Sequence, residues 1–311
     1  TNEPFVLEAR ELRGVISNGM LASASELGLS DNHDGLLEIE QNDAAKPGAT
    51  FKSLYGLDDV VVDLENKMFT HRPDCFGVLG VARELAGIHG QTFKSPEWYT
   101  AVPSFSLEAD VLPLQVQILD EEHVPRLMAL AMSGLANGQS PAWMQAALTR
   151  MGIRPISRIV DITNFIMQLT GQPLHAYDYD KLAAASGEVP TLLARKATDK
   201  EQLELLSGKA LELGPEAVVI ATDKQPIGLA GIMGGANTEV DESTTRIVIE
   251  VANFDMYNIR RSCMKYGVFS DAATRFNKGQ SALQNDKILR LAADMFAEYC
   301  GGKIASEAYD V

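Results

Sequence analysis

The sequence predicts a multi-domain α+β fold, in which a small N-terminal region precedes a larger domain with a mixed α/β sheet. Two observations lead to this prediction. Helical periodicity precedes and follows a block of short strand patterns at residues 190–251, and helices on either side of such a block are typical of α+β domains. The hydrophobic pattern also changes after residues 96–113, which have the composition of a linker or crossover. We therefore place a domain boundary near residue 105.

The N-terminal region has few regular patterns. Residues 42–50 form a stretch rich in Asp, Ala, Pro and Gly that predicts a loop. Alternating apolar residues then predict a strand over residues 58–64. An amphipathic helix is predicted from residue 76 to about residue 89, with Asp74 as its N-cap and Gly90 at its end.

The larger domain begins with strands and then becomes helical. Strands are predicted at residues 114–119 and 127–133. A first helix is predicted to start at Pro141, to be capped by Ser140 and to end at Gly152. The further predicted helices run from near Asp161 to Gly171, over residues 256–266 and over residues 283–300.

The composition is that of a globular protein in a reducing environment. The 311 residues are 46% hydrophobic and 22% charged, and no apolar run approaches the roughly 20 residues of a membrane-spanning helix. The three cysteines are scattered and form no Cys-x-x-Cys pair, which argues against a disulfide framework. The chain opens on Thr1 without a basic-then-apolar leader, so we expect a cytoplasmic protein. The missing Met leaves open that it is a fragment.

The formal net charge of −15 bears on the partners. A protein that binds nucleic acid by itself usually carries a basic patch that neutralises phosphates. This chain is acidic on average, so we expect that most of the affinity for any bound RNA comes from groups outside this chain.

A series of long motifs lies in the second half of the chain. They are Gly152-Ile-Arg-Pro-Ile-Ser-Arg-Ile-Val-Asp-Ile-Thr-Asn-Phe, Gly171-Gln-Pro-Leu-His-Ala-Tyr-Asp, Lys181-Leu, Leu206-Ser-Gly-Lys, Ala230-Gly-Ile-Met-Gly-Gly, Ile249-Glu-Val-Ala-Asn-Phe and Ser270-Asp-Ala-Ala-Thr-Arg-Phe-Asn-Lys-Gly. Together and in this order they resemble the editing domain of the bacterial phenylalanyl-tRNA synthetase β subunit. The resemblance assigns residues 105–311 to that domain.

The N-terminal third resembles the same family. The motifs Leu12-Arg-Gly, Ser17-Asn-Gly-Met-Leu and Ser25-Glu-Leu-Gly-Leu are similar to the end of its oligonucleotide-binding-type, tRNA-binding domain, which we assign to residues 1–50. The motifs His71-Arg-Pro-Asp-Cys and Gly80-Val-Ala-Arg-Glu are similar to the second half of its small N-terminal domain, which with a linker covers residues 51–104. The family more often has Asn where this chain has His71.

The resemblance implies an activity and a set of partners. In this family the β subunit hydrolyses tyrosine that has been attached to tRNA(Phe) by mistake. The α2β2 heterotetramer attaches phenylalanine to tRNA(Phe) with ATP and Mg²⁺, at an active site on the α subunit that this chain would lack. Editing needs no cofactor, only water and the charged tRNA. The implied partners are the α subunit, tRNA(Phe) and tyrosine, without a membrane. The alternative is a non-catalytic structural and RNA-binding module that scaffolds the α subunit and the tRNA.

Two candidate catalytic residues follow from the resemblance. Glu250 is the acceptor for the tyrosine hydroxyl, because a site that hydrogen-bonds a hydroxyl rejects a ligand that lacks it. The pattern around it also fits a carboxylate on an edge strand that faces water. His175 positions the ester or a water molecule, or acts as a base. Its place after Gly-Gln-Pro-Leu indicates a turn, where it could instead bond to backbone.

Four residues are candidates for binding the substrate. Arg154 contacts the tRNA terminus or, alternatively, is a charge at a helix C-terminus. Gly234 forms a wall of the amino-acid pocket, unless it only makes a turn. Ser270 stands where the family often has Thr, and Ala272 is a small wall that leaves room for an aromatic ring. We predict no metal site, since Asp241 and its acidic neighbours lack ligand spacing.

Overall fold

The computed structural model describes residues 6–29, 33, 35–39, 48–62 and 64–311. Residues 42–47 of the predicted loop lie outside this range. The α-helices are α1 (Phe51–Leu54), α2 (Val78–Ile88), α3 (Glu97–Thr100), α4 (Ala142–Arg150), α5 (Arg158–Thr170), α6 (Tyr179–Ala185), α7 (Met256–Tyr266), α8 (Asp271–Phe276) and α9 (Asn285–Cys300). Short 3-10 helices occur at Lys67–His71, Pro73–Phe76, Ala236–Thr238 and Ala282–Gln284.

The strands are mostly short. They are β1 (Arg10–Leu12), β2 (Val15–Ser17), β3 (Gln115–Ile118), β4 (Arg126–Ser133), β5 (His175–Asp178), β6 (Thr191–Lys196), β7 (Glu201–Glu204), β8 (Ala210–Leu213), β9 (Val218–Ala221), β10 (Pro226–Leu229), β11 (Met233–Gly234), β12 (Arg246–Asn253), β13 (Lys303–Ile304) and β14 (Tyr309–Asp310). The mixture of helices with antiparallel and mixed sheets confirms the predicted α+β class.

The chain forms two compact units. The first comprises the described residues of Thr1–Val61 together with Ser140–Ile156, and the second comprises those of Val62–Gln139 and Ser157–Val311. The sequence predicts a division of the chain into three segments, with limits at residues 50 and 104. That division follows family motifs and not compact packing, so it stays a prediction.

The first unit contains a hairpin and a small core to which α1 and α4 contribute. Strands β1 and β2 pair antiparallel. The core contains Ala24, Leu29 and Tyr55, which pack with Ala142 and Ala146 of α4. Helix α4 begins at Ala142, one residue later than predicted, and its N-cap is Pro141 rather than Ser140.

Two sheets form the second unit. The first sheet is antiparallel, with the strand order β13-β4-β12-β5, and β14 also pairs with β4. Its long central pair joins β4 to β12 along all eight residues of each strand. The second sheet has the order β11-β10-β9-β6-β3, in which β3 and β6 run parallel. Strands β7 and β8 form a separate hairpin.

The two sheets share one hydrophobic core. Ala129 and Val248 of the first sheet belong to the same buried cluster as Leu192, Val219 and Ile227 of the second. Helices α5 and α9 pack against each other, and α9 also packs against β4 and β12. Since side chains alternate along a strand, β12 presents every second residue to the shared core and the others to the opposite face.

Several predicted elements need correction. No strand forms among the described residues of 58–64, where Val60 and Val62 are 79% and 76% exposed, because the alternating pattern finds no partner strand there. Asp74 is not a helix cap: it lies in the 3-10 helix Pro73–Phe76, and its carboxylate accepts hydrogen bonds from Arg72 and Arg83. Helix α2 therefore starts later than predicted, after Gly77.

The prediction was better for the segments that follow residue 113. Strands β3 and β4, and helix α7, lie where the sequence placed them, and α5 starts three residues earlier than Asp161. Helices α6 and α8 were not predicted. Within the described part of the chain, no helix combines the length and apolar character that crossing a bilayer demands.

Candidate functional site

A cavity of about 90 Å³ lies in the second unit. Its lining comes from both sheets and from α8: His175 and Tyr177 on β5, Glu250 on β12, the turn that joins β10 to β11, and Ala272. A cavity of this volume has room for several water molecules. Apart from the side chains of His175, Tyr177 and Glu250, the lining is apolar or glycine.

The strand register brings the three polar side chains together. Glu250 lies directly opposite His175 in the antiparallel pair of β12 and β5, so both side chains point to the same face. Tyr177, two residues further along β5, shares that face. Its hydroxyl donates a hydrogen bond to Glu250 Oε2, and its ring lies edge-on to the His175 ring with 4.5 Å between centroids.

The sequence before β5 explains why His175 starts the strand. Helix α5 ends at Thr170 and is capped by Gly171, whose φ of +79° is left-handed and suits glycine. The chain then reverses through Gln172 and Pro173 and enters β5 at His175. The predicted turn position of His175 is therefore wrong, because pairing with β12 extends to this residue.

Burial sets the charge of each polar group. It raises the pKa of Glu250 to about 7, against the lowering effect of the hydrogen bond from Tyr177. Burial lowers the pKa of His175 to about 4, and burial together with the nearby carboxylate raises the pKa of Tyr177 well above its ordinary value. At neutral pH the imidazole and the phenol are thus uncharged, while the carboxyl gains or loses its proton close to pH 7.

Two polar atoms in this site have unused hydrogen-bonding capacity. His175 Nε2 is buried and has no hydrogen-bond partner. A Cβ added to Gly234 would lie 2.8 Å from that nitrogen, so the absence of a side chain at Gly234 is what admits the ring. Tyr177 donates a hydrogen bond to Glu250 Oε2, whereas no described residue donates to Glu250 Oε1. Buried polar groups are normally paired, so the His175 nitrogen and the second Glu250 oxygen are both available to bind a polar group that enters the cavity.

The structure brings four of the six candidate residues together. His175, Gly234, Glu250 and Ala272 all line the cavity. The water-facing alternative for Glu250 is wrong, since β12 is paired on both sides and the residue is only 6% exposed. Their roles in a reaction stay predictions.

The other two candidates lie elsewhere. Ser270 caps α8: its hydroxyl accepts a hydrogen bond from the Ala273 N–H at 3.0 Å and donates to the Ile232 carbonyl at 2.6 Å. Since Ile232 lines the cavity, Ser270 supports a wall without forming one. Arg154 belongs to the first compact unit and lines a different cavity there, with Thr149 among others.

Three aromatic residues of the site were missed. Tyr177 lines the cavity beside His175, and a strand over Gln-Pro-Leu-His-Ala-Tyr-Asp would have put both on one face. Phe254 and Phe276 also line the cavity and meet edge-to-face with 5.0 Å between ring centroids. Phe276 lies four residues after Ala272, a helical spacing that would have paired the two had α8 been predicted.

Two acidic groups outside the cavity have structural partners. The Asp241 carboxylate binds Lys181 at 2.6 Å, and Asp255 caps α7 by accepting the Asn258 N–H at 2.7 Å. Asp120, Glu122 and His123 have potential metal-ligating atoms within 4.8 Å of one another. Within this cluster, His123 Nδ1 and the Asp120 carboxylate are hydrogen-bonded at 3.0 Å.

Comparison with known proteins places the chain in a family. A family model described as "B3/4 domain" matches residues 123–301. The phenylalanine--tRNA ligase beta subunit of Carboxydothermus hydrogenoformans is 39% identical over 310 residues, which are 99% of this chain and 37% of the relative. The protein of the same name from Moorella thermoacetica is 40% identical over 304 residues, which are 96% of this chain and 36% of the relative.

The chain thus spans little more than a third of the length of these relatives. The matches bear out the resemblance that the motifs carry. The chain belongs to the B3/4 domain family, and over nearly its whole length it is similar to a segment of phenylalanine--tRNA ligase beta subunits.

Proposed function

We propose that the cavity is an editing site that hydrolyses tyrosine from mischarged tyrosyl-tRNA(Phe). The main support is the placement of Glu250, a buried carboxyl with an unoccupied oxygen, directly opposite His175 in an otherwise apolar cavity. The similarity to phenylalanine--tRNA ligase beta subunits supports a tRNA ligase subunit as the wider context.

Specificity would come from the Glu250 carboxyl group. Apolar lining such as Phe276 takes up an aromatic ring, and Oε1 of Glu250 accepts the hydrogen bond of the tyrosine hydroxyl. Phenylalanine would leave this buried oxygen unpaired, at a cost of about 1–3 kcal/mol. That cost corresponds to roughly 10- to 100-fold slower hydrolysis of phenylalanyl-tRNA.

The reaction is the hydrolysis of an ester. Water attacks the carbonyl carbon of the aminoacyl group, the bond to the ribose oxygen breaks, and that oxygen leaves as the hydroxyl of the tRNA terminus. A neutral imidazole can hold the attacking water or the ester through its unpaired nitrogen. Because its pKa is about 4, His175 would be a weak base at neutral pH. We therefore assign it a positioning role.

The remaining assignments complete the proposal. Gly234 and Ala272 leave room for the ligand, Ser270 braces the wall at Ile232, and Arg154 contacts the tRNA terminus. The assembled enzyme is a cytoplasmic α2β2 heterotetramer that attaches phenylalanine to tRNA(Phe) with ATP and Mg²⁺. The hydrolytic step uses neither.

The test is hydrolysis by the purified chain with tyrosyl-tRNA(Phe) and phenylalanyl-tRNA(Phe). We expect faster release of tyrosine, and loss of that preference in Glu250→Gln but not in Glu239→Gln, which changes an exposed carboxylate outside the cavity. We also expect His175→Ala to slow hydrolysis, and Ala272→Trp to abolish it by filling the cavity. Release of neither amino acid by the wild-type chain would favour the non-catalytic scaffold instead.

A further inference from the structure

The proposed acceptor already holds one phenol. Tyr177 is 2% exposed, and its hydroxyl donates to Oε2 of Glu250. The bond is diagonal across two strands: Tyr177 is paired with Val248, two residues before Glu250. Side chains at such diagonal positions on one face are within reach of each other when one is aromatic.

The surroundings keep this bond in place. The edge of the Tyr177 ring packs against His175 at 4.5 Å between centroids. On the other side of β12, the residue opposite Glu250 is Ala129, which has no polar side chain. The turn between β10 and β11 and the residues of α8 that line the cavity add no titratable group. The titratable neighbours that face the carboxyl are thus His175 and Tyr177.

We propose that Tyr177 is a positioning residue for tyrosine recognition: its hydroxyl occupies Oε2 of Glu250, so that the carboxyl group presents Oε1 alone to the phenol of the ligand. The proposal rests on the editing function above. A carboxylate can accept hydrogen bonds at both oxygens, and without an internal donor its orientation would be set by apolar contacts only. The internal phenol makes the same kind of bond that the ligand makes.

The bond also has an electrostatic consequence. A donor to a carboxylate favours the charged form, and Tyr177 lowers the pKa of Glu250 in this way. Removing its hydroxyl should therefore leave more of the carboxyl protonated at pH 7, where it is a poorer acceptor. Preference for tyrosine should fall at pH 7 and return only in part at pH 9, because the carboxyl then regains its charge but not its orientation. A residue that only packs against its neighbours would not move this pH midpoint.

The experiment compares Tyr177→Phe with Tyr179→Phe in the full chain. Tyr179 is a matched control, because its buried phenol donates to the Pro113 carbonyl at 2.7 Å and does not line the cavity. The first measurement is the infrared band of the protonated Glu250 carboxyl, identified by its absence in Glu250→Gln and followed with pH. The second is the affinity for non-hydrolysable amide analogues of tyrosyl- and phenylalanyl-adenosine.

We expect Tyr177→Phe to raise the infrared midpoint by about one pH unit and to reduce the tyrosyl preference about tenfold at pH 7, with partial recovery at pH 9. Tyr179→Phe should change neither. An unmoved midpoint in Tyr177→Phe, or an unchanged preference for the tyrosyl analogue, would overturn the proposal. Because both measurements are independent of hydrolysis, failure of the wild-type chain to cleave tyrosyl-tRNA would count against the editing function and not against the role of Tyr177.

Discussion

Glu250 and Asn253 lie three residues apart on β12 and are similarly buried, at 6% and 2% exposure, yet their hydrogen bonding differs. Asn253 Nδ2 donates to the Gln280 carbonyl at 3.1 Å, and its Oδ1 accepts from Asn285 Nδ2 at 2.7 Å. Glu250 has one donor for its two oxygens. Odd and even positions of a strand face opposite sides. We call the side of β12 with Asn253, whose amide oxygen and nitrogen are both hydrogen-bonded, the saturated face, and the side with Glu250, which has an oxygen without a donor among the described residues, the unsaturated face.

The saturated face belongs to an amide cluster that consists of Gln172, Asn253, Gln280, Gln284 and Asn285. Gln172 Nε2 donates to the carbonyls of Pro173 and Ala252, both at 2.9 Å. These bonds tie the turn that precedes β5 to β12, and therefore fix the start of the strand on which His175 lies. Asn285 Oδ1 is the exception in this cluster, with no hydrogen-bond partner.

The difference separates structural from functional polar groups. Buried amides that find partners stabilise the fold and define one arrangement of the chain. Buried groups with spare capacity and shifted pKa values cost stability, and they occur where a ligand supplies what is missing. Mutations on the two faces of β12 should therefore act on stability with opposite signs.

The largest effect should come from Asn253→Ala. The substitution leaves the Gln280 carbonyl without this donor and the Asn285 amide without this acceptor, and each unpaired buried group costs about 1–3 kcal/mol. We expect a loss of about 3–5 kcal/mol in the free energy of unfolding, measured by urea denaturation with circular dichroism. The exposed Asn237, which donates at 3.3 Å to the Pro226 carbonyl, is the control. If Asn237→Ala cost as much, the amide cluster would have no special structural role.

Glu250→Gln should instead stabilise the chain, but only at high pH. The pKa of Glu250 is raised to about 7 in the folded state, so between pH 4.5 and pH 7 the folded chain binds a proton that the unfolded chain has lost. Stability therefore falls as pH rises through this window. Glutamine cannot ionise and still accepts from Tyr177, so the gain should reach about 3 kcal/mol at pH 8. The measurement is the difference in free energy of unfolding between variant and wild type at pH 8 and at pH 5.

A gain of the same size at pH 5 would contradict this explanation. At that pH the carboxyl is protonated in the folded state and little of its cost remains. Such a result would mean that the amide packs better than the carboxyl for reasons unrelated to charge.

The sequence predicted the larger elements of the second unit and most of the candidate site. Helix α7 and strand β4 have strong periodicity over many residues, which a single sequence reveals. The motifs carried His175, Gly234, Glu250 and Ala272, and the structure places all four at one cavity. Resemblance supplied this set, since spacing alone cannot bring residues together that lie almost a hundred positions apart.

The sequence alone did not reveal which strands pair with each other, or in which register. Residues 58–64 alternate like a strand but find no neighbour among the described residues, whereas His175 begins a strand because β12 is beside it. The bond from Tyr177 to Glu250 depends on the register of β5 against β12, and a shift of one residue would turn these side chains to the other face. Register is a property of the folded pair, so the role of Tyr177 was not visible in either strand alone.

His175→Gln should reveal the opposite pH dependence. The pKa of His175 is lowered to about 4, so between pH 6.5 and pH 4 the unfolded chain binds a proton that the folded chain does not, and stability is lost as pH falls. A neutral glutamine avoids this loss. The measurement is the free energy of unfolding of the variant minus that of the wild type. We expect this difference to be about 2 kcal/mol more favourable to the variant at pH 5 than at pH 8. Equal differences at the two pH values would show that the imidazole is not held neutral.

Gly234→Ala should act mainly on the cavity. A Cβ there would lie 2.8 Å from His175 Cε1 and Nε2 and 3.2 Å from Leu206 Cδ1, so the imidazole must turn away. Forcing such a shift costs about 1–3 kcal/mol. Gly228→Ala is the matched control, because that glycine also lines the cavity but its Cβ would meet ordinary contacts of 3.5 Å or more. We expect Gly234→Ala to slow release of tyrosine from tyrosyl-tRNA(Phe) at least tenfold more than Gly228→Ala does. Equal rates in the two variants would mean that the position of the His175 ring does not matter to the reaction. Of the two residues, Glu250 alone would then keep a functional role.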